Sequence, residues 1–93
     1  MNLLILGDVM GESGRNALKH KLPEIIIENK IDFVIVNGEN AADDGRGITQ
    51  LIAEEFFSIG VDVITSGNHI WDKKETTNYI DKENRLLRPA NLA

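Results

Sequence analysis

Apolar residues along this chain alternate between short unbroken runs and longer stretches in which they return every three or four positions. That alternation predicts the order β-α-β-α-β-α-β. Asn2-Leu3-Leu4-Ile5-Leu6, closed by Gly7, has the continuous apolar character of a strand buried on both faces of a parallel sheet. Ile31-Asp32-Phe33-Val34-Ile35-Val36 and Val61-Asp62-Val63-Ile64-Thr65 repeat it and are rich in the β-branched residues that suit a pleated, packed surface. A fourth, shorter strand, Leu86-Leu87-Arg88, ends at Pro89.

The intervening stretches read as helices. Ser13 is placed to cap a helix that carries Ala17, Leu18, Leu22, Ile25 and Ile26 on one face, and Pro23 predicts a kink there or a division into two short helices. Thr49 to Ile59 sets Ile52, Phe56 and Ile59 on one side, with Gly60 as the stop. Asp72-Lys73-Lys74-Glu75 has the form of a capping box and opens a short helix running to about Ile80. Strands joined in this way by helices imply right-handed crossovers and a parallel α/β sheet, with residues 1–93 as a single unit and no internal repeat or linker.

In a parallel sheet the carboxyl ends of the strands open on one edge, where residues distant in sequence meet. Three polar groups follow the predicted strands directly: Asp8 after the first, Glu39 and Asn40 after the second, Asn68 and His69 after the third. Each has an ordinary alternative. Asp8 alone reads more readily as a turn cap than as a ligand. Asn37, Gly38 and Asn40 suit a turn, but a turn does not call for Glu39. A lone histidine is usually structural, yet His69 beside an amide offers proton transfer near neutral pH next to an oxygen donor. Their shared edge favours one site. Trp71 reads as packing beneath the third loop, and His20 as a solvated residue on the polar side of the first helix.

Composition narrows the chemistry. The chain has no cysteine, so any metal must be held by oxygen and imidazole. Its formal net charge is −5 and its lysines and arginines are scattered, which argues against extended nucleic acid as a partner. Bound cations would reconcile an acidic site with a small phosphorylated substrate. No run approaches the roughly 20 apolar residues of a membrane span, and no basic leader precedes the first strand, so a cytoplasmic location is the expectation. Gly7, Gly11 and Gly14 lack the G-x-G-x-x-G spacing of a dinucleotide loop, and Asp8 stands where a phosphate would approach.

Taken in order, Gly7-Asp8 with Gly11, Gly14 and Arg15, then Asp32-Phe33-Val34-Ile35 leading to Asn37-Gly38-Glu39-Asn40-Ala41-Ala42, form a recognisable series. It continues with Gly60-Val61-Asp62-Val63-Ile64-Thr65, Gly67-Asn68-His69 and Trp71-Asp72, and ends with Leu87-Arg88-Pro89-Ala90-Asn91. The chain resembles the amino-terminal part of a bacterial calcineurin-like metallophosphoesterase of the 2′,3′-cyclic-nucleotide 2′-phosphodiesterase family. The resemblance implies a metallophosphoesterase sandwich with two divalent metal ions, iron, manganese or zinc. It assigns Asp8, Glu39, Asn40 and Asn68 as ligands, Glu39 bridging, and His69 as the donor of a proton to the leaving oxygen.

Met10 stands where the wider superfamily has a histidine, which favours the named family. The resemblance covers about a third of a family member, and the remaining metal histidines would lie in the other part. The implied state is therefore association with that carboxyl-terminal part or homo-oligomerisation. The rival readings are a nucleotide-binding module without catalysis and a self-associating fragment without activity. The loop Asp43-Asp44-Gly45-Arg46-Gly47 is more acidic than the family pattern leads one to expect.

Overall fold

The structure, a computed structural model, describes residues 1–7, 9–45, 47–67 and 74–88. Four strands, β1 (Leu3–Leu6), β2 (Phe33–Asn37), β3 (Val63–Thr65) and β4 (Leu86–Leu87), alternate with three helices, α1 (Gly11–Glu28), α2 (Gln50–Ser58) and α3 (Lys74–Ile80). The strands form one sheet in the order β1-β2-β3-β4 with every pair parallel. Leu6 lies beside Val36, and Asn37 beside Thr65, so the carboxyl ends of β1, β2 and β3 reach the same edge. The parallel α/β architecture expected from the hydrophobic pattern is the one observed.

The core lies on one side of the sheet. Val34, Val36, Ile64 and Leu86 form a single buried cluster with Leu18 and Leu22 of α1, Ala53 and Phe56 of α2, and Tyr79 and Ile80 of α3. A chain that steps across a sheet in one direction with right-handed crossovers places its helices on one face, and this cluster is the result. The alternate positions point the other way. Leu3, Ile5 and Leu87 are exposed, Ile5 to 67%, and no described helix packs against that face. The expectation that the first strand is buried on both faces is corrected accordingly: Leu4 and Leu6 are half-buried while Leu3 and Ile5 are not. An unbroken apolar run states that both faces avoid water, but not that this stretch of chain supplies both covers.

α1 is one helix through Pro23, not divided into two, and it starts before Ser13. Met10 is its N-cap, and Ser13 sits inside the first turn. Pro23 removes one donor from the helical ladder, a cost of about 3 kcal/mol in a helix interior. Burial of Leu22, fully inaccessible one residue earlier, contributes about 1.5–3 kcal/mol in the other direction. Both Pro23 and Lys19, whose carbonyl loses its helical donor, lie on the exposed side. α2 begins as expected, with the Thr49 hydroxyl accepting from the Ile52 amide at 3.2 Å. It ends at Gly60, whose φ of +115° is open to glycine at little cost. In α3 the buried Thr76 hydroxyl donates to the Ile48 carbonyl, tying this helix to the segment before α2. Asp72, the expected cap of α3, lies outside the described residues.

The approach to β4 is held by one ion pair. Arg85 donates through Nε and Nη2 to the two Glu83 carboxylate oxygens, each at 2.8 Å, and its guanidinium stands 4.0 Å from the Phe57 ring centroid on α2. These hydrogen bonds hold the Glu83 carboxyl down at about 2, from an ordinary 4.5. A depressed carboxyl contributes stability above its unfolded value, and the contribution disappears as pH falls towards its folded value. Glu83→Gln should therefore unfold a few degrees below the parent at pH 6, and the gap should close between about pH 4.5 and pH 2. Thermal melts followed by circular dichroism across that range check this, and a gap independent of pH would refute it. Among the described residues no helix is long and apolar enough to cross a membrane.

Candidate active site

The segment after β2 turns sharply at the carboxyl edge. Gly38 N–H donates to the Thr65 carbonyl at 2.8 Å, continuing the ladder with β3, and Asn37 Nδ2 donates to Thr65 Oγ1 at 3.2 Å. The Asn37 side-chain oxygen then accepts from the Glu39 amide at 3.2 Å, a local turn of the kind asparagine favours. The Glu39 carbonyl accepts from Gly47 N–H at 2.6 Å, and the Gly47 carbonyl accepts from Ala42 N–H at 3.0 Å. Residues 39–47 are therefore a closed loop whose base is fixed by backbone bonds. Ala41 and Ala42, within this loop, are buried, which suits small residues at those positions.

The Glu39 side chain reaches across to the end of β3. A Cβ placed on Gly67 would fall 2.0 Å from Glu39 Oε2 and 2.1 Å from its Cδ. The carboxylate thus rests against the bare Cα of Gly67, a contact that no other residue type allows. This joins the second loop to the third one residue before Asn68. Sequence reasoning quoted Gly67 within a motif without seeing this role; the available signal was a glycine placed between a strand and two candidate functional residues.

The first loop is joined from the opposite side. Gly11 N–H, at the start of α1, donates to the Asn40 carbonyl at 3.0 Å. One turn on, Arg15 Nη1 donates to the Ala41 carbonyl and Nη2 to Asp43 Oδ1, both at 2.6 Å. The Gly11 amide is thus engaged within the chain. Asp43, one of the two aspartates that make this loop acidic, has Arg15 as a counter-ion.

Among the expected site residues, Glu39 and Asn40 are described and lie on this shared edge. Asp8, Asn68 and His69 lie outside the described residues, as do Arg46 and Trp71. Gly7, Val9 and Gly67, their chain neighbours, are described. His20 is exposed on α1, as expected of a solvated residue. Among the described residues no three histidine, cysteine, aspartate or glutamate side chains gather into a metal-holding group. A carboxylate and an amide on one fixed loop, with a second loop drawn against them by Glu39, suit the oxygen-donor half of a hard or borderline cation site.

Comparison with known proteins follows the same lines. A family model described as YmdB-like protein matches residues 4–93. The chain is 46% identical over 92 residues to a 2′,3′-cyclic-nucleotide 2′-phosphodiesterase of Bacillus subtilis, with 99% of this chain and 34% of that protein covered. It is 37% identical to a putative phosphatase/phosphodiesterase of Mycoplasma pneumoniae, covering 99% of this chain and 32% of the relative. Among solved structures, a hypothetical protein from Thermus thermophilus superposes with a TM-score of 0.87 at 39% identity, over 100% of this chain and 35% of the other. A phosphatase from Mycoplasma pneumoniae superposes with a TM-score of 0.90 at 37% identity, over 98% and 32% respectively. The chain spans about a third of the length of these relatives.

Proposed function

Because the chain belongs to the YmdB-like protein family, we propose that it forms the amino-terminal part of a calcineurin-like metallophosphoesterase and supplies one side of its active site. The reaction is hydrolysis of small phosphate esters such as 2′,3′-cyclic nucleotides, in the cytoplasm. Support comes from relatives named as phosphodiesterases and phosphatases, which are hydrolases. The observation that carries the reading is the Glu39 carboxylate seated on Gly67, which brings the second and third strand ends together at one edge.

In this reading Asp8, Glu39, Asn40 and Asn68 would hold two divalent ions of iron, manganese or zinc. When bound, such ions polarise a phosphoryl group, lower the pKa of a water and stabilise a departing alkoxide. Glu39 contributes a carboxylate whose backbone is pinned at both its amide and its carbonyl. Asn40 adds a neutral oxygen without further negative charge, and His69 gives a proton to the leaving oxygen.

Titration of the metal-free chain with manganese, following free ion by electron paramagnetic resonance, tests this. Weak, readily exchanged binding is expected, because these four residues supply only oxygen donors and water must complete the shells. Binding should be lost in Glu39→Ala. The chain alone should hydrolyse bis(p-nitrophenyl) phosphate negligibly, since loosely held ions do not fix the phosphoryl group in line. Failure to bind manganese, iron or zinc at all would overturn the reading.

A further inference from the structure

Arg15 is used by neither the proposed chemistry nor the core, yet its side chain is only 14% exposed and both arms of its guanidinium are occupied. Its two acceptors, the Ala41 carbonyl and the Asp43 carboxylate, flank the buried Ala42 on the loop that carries Glu39 and Asn40. Together with Gly11 N–H on the Asn40 carbonyl, α1 holds two consecutive peptide carbonyls, at residues 40 and 41, in fixed directions. The first of those peptides adjoins the Asn40 Cα and so limits the direction in which Asn40 leaves the backbone, and the second holds the turn that follows it. The same helix begins three residues after Asp8, so one rigid element ties the chain beside the first candidate ligand to the loop bearing two others.

We propose that Arg15 is a positioning residue for the ligand loop, acting through the Ala41 carbonyl to hold Asn40 and Glu39 for cation binding. The proposal rests on the metal-site reading given above. A planar, two-armed donor meets the geometry, because the Ala41 carbonyl and the Asp43 carboxylate need two parallel-reaching N–H groups from one side chain. Lysine carries the same charge but no fork, and can satisfy only one acceptor well.

Charge and positioning make opposite predictions, which allows a decision. Arg15 is a cation near a site for cations, so by Coulomb's law alone its removal should strengthen metal binding. If Arg15 positions the ligands, removal should weaken it, and groups that orient ligands in this way are typically worth about 10–100-fold in metal affinity. Manganese affinity would be measured on the purified chain and on Arg15→Ala, Arg15→Lys and Asp43→Asn, with the melting temperature of each metal-free protein recorded alongside. The expected result is an affinity about 10–100-fold weaker in Arg15→Ala and intermediate in Arg15→Lys. Asp43→Asn, which keeps the arm on Ala41, should stay within about twofold of the parent.

Equal or tighter binding in Arg15→Ala would overturn the proposal, as would a loss in Asp43→Asn as large as that in Arg15→Ala. Should Arg15→Ala fail to fold, Arg15→Lys decides the matter: unchanged manganese affinity there defeats the positioning role. If the parent chain binds no manganese, iron or zinc, it is the metal-site reading that fails, a result distinct from binding that is merely insensitive to residue 15.

Discussion

Gly67→Ala is expected to lower manganese affinity about as much as the loss of the Glu39 carboxylate while leaving the fold nearly unchanged. The new methyl would sit 2.0 Å from Glu39 Oε2, far inside van der Waals contact, so one of the two groups has to move. What moves is the end of a flexible glutamate side chain, whose loss of position costs little stability. The same shift removes the carboxylate from the place where it faces the third loop, and a ligand displaced by an ångström is enough to undo a cation site. Gly38→Ala supplies the control. There the added methyl meets Ile48 and Ile64 at 3.0 Å, both fully buried, so the expected effect is a lower melting temperature. Manganese titration and thermal melts on both variants check the pair. Metal binding equal to the parent in Gly67→Ala would show that the seat on Gly67 does not matter.

Much of this architecture was legible in the residues. The β-branched runs around Val34 and Ile64 had one reading, because their length suits strands and each ends in a polar turn. The order of the elements then fixed a parallel sheet and its shared edge. Three things were not legible, each for a physical reason. Pro23 looked like a break because local propensity opposes it, but propensity is a weak guide where tertiary packing holds a helix face, here by the buried Leu18 and Leu22. Ser13 looked like a cap because hydroxyls often cap, while the helix begins earlier with the Gly11 amide on Asn40. The first strand looked covered on both faces, although Leu3 and Ile5 are exposed, because an apolar run carries no information about which chain covers it.

The site divides in the same way. Glu39 stood out because nothing structural asks for a glutamate in that turn, and its carboxylate indeed spans two loops. Arg15 stood in the motif series without a role, since an arginine on a helix is ordinarily a solvated one. Its role depends on a loop 26 residues away in sequence, and only the fold brings the Ala41 carbonyl to its guanidinium. Asp43 shows the converse. Read along the chain it added to an acidic cluster, whereas in space it is half of an ion pair and leaves the site less negative than its sequence suggests.

The largest effect on turnover is expected from His69→Ala, in a protein where these 93 residues replace the matching third of the Bacillus relative. General acid catalysis contributes about 10²–10⁴-fold, so kcat should fall by that order while metal content holds. Glu39→Ala should lose metal and activity together, because its carboxylate would be a ligand in the proposed site. The two losses differ in a further way. A proton donor matters in proportion to how poor the leaving group is: a ribose oxygen departs badly without one, whereas p-nitrophenolate departs readily. His69→Ala should therefore slow a 2′,3′-cyclic nucleotide much more than bis(p-nitrophenyl) phosphate, and Glu39→Ala should slow both alike. Metal analysis of the purified variants and kcat on the two substrates separate the roles. A His69→Ala protein that emerges without metal would make that histidine a ligand, and equal losses on both substrates would remove the proton from its account.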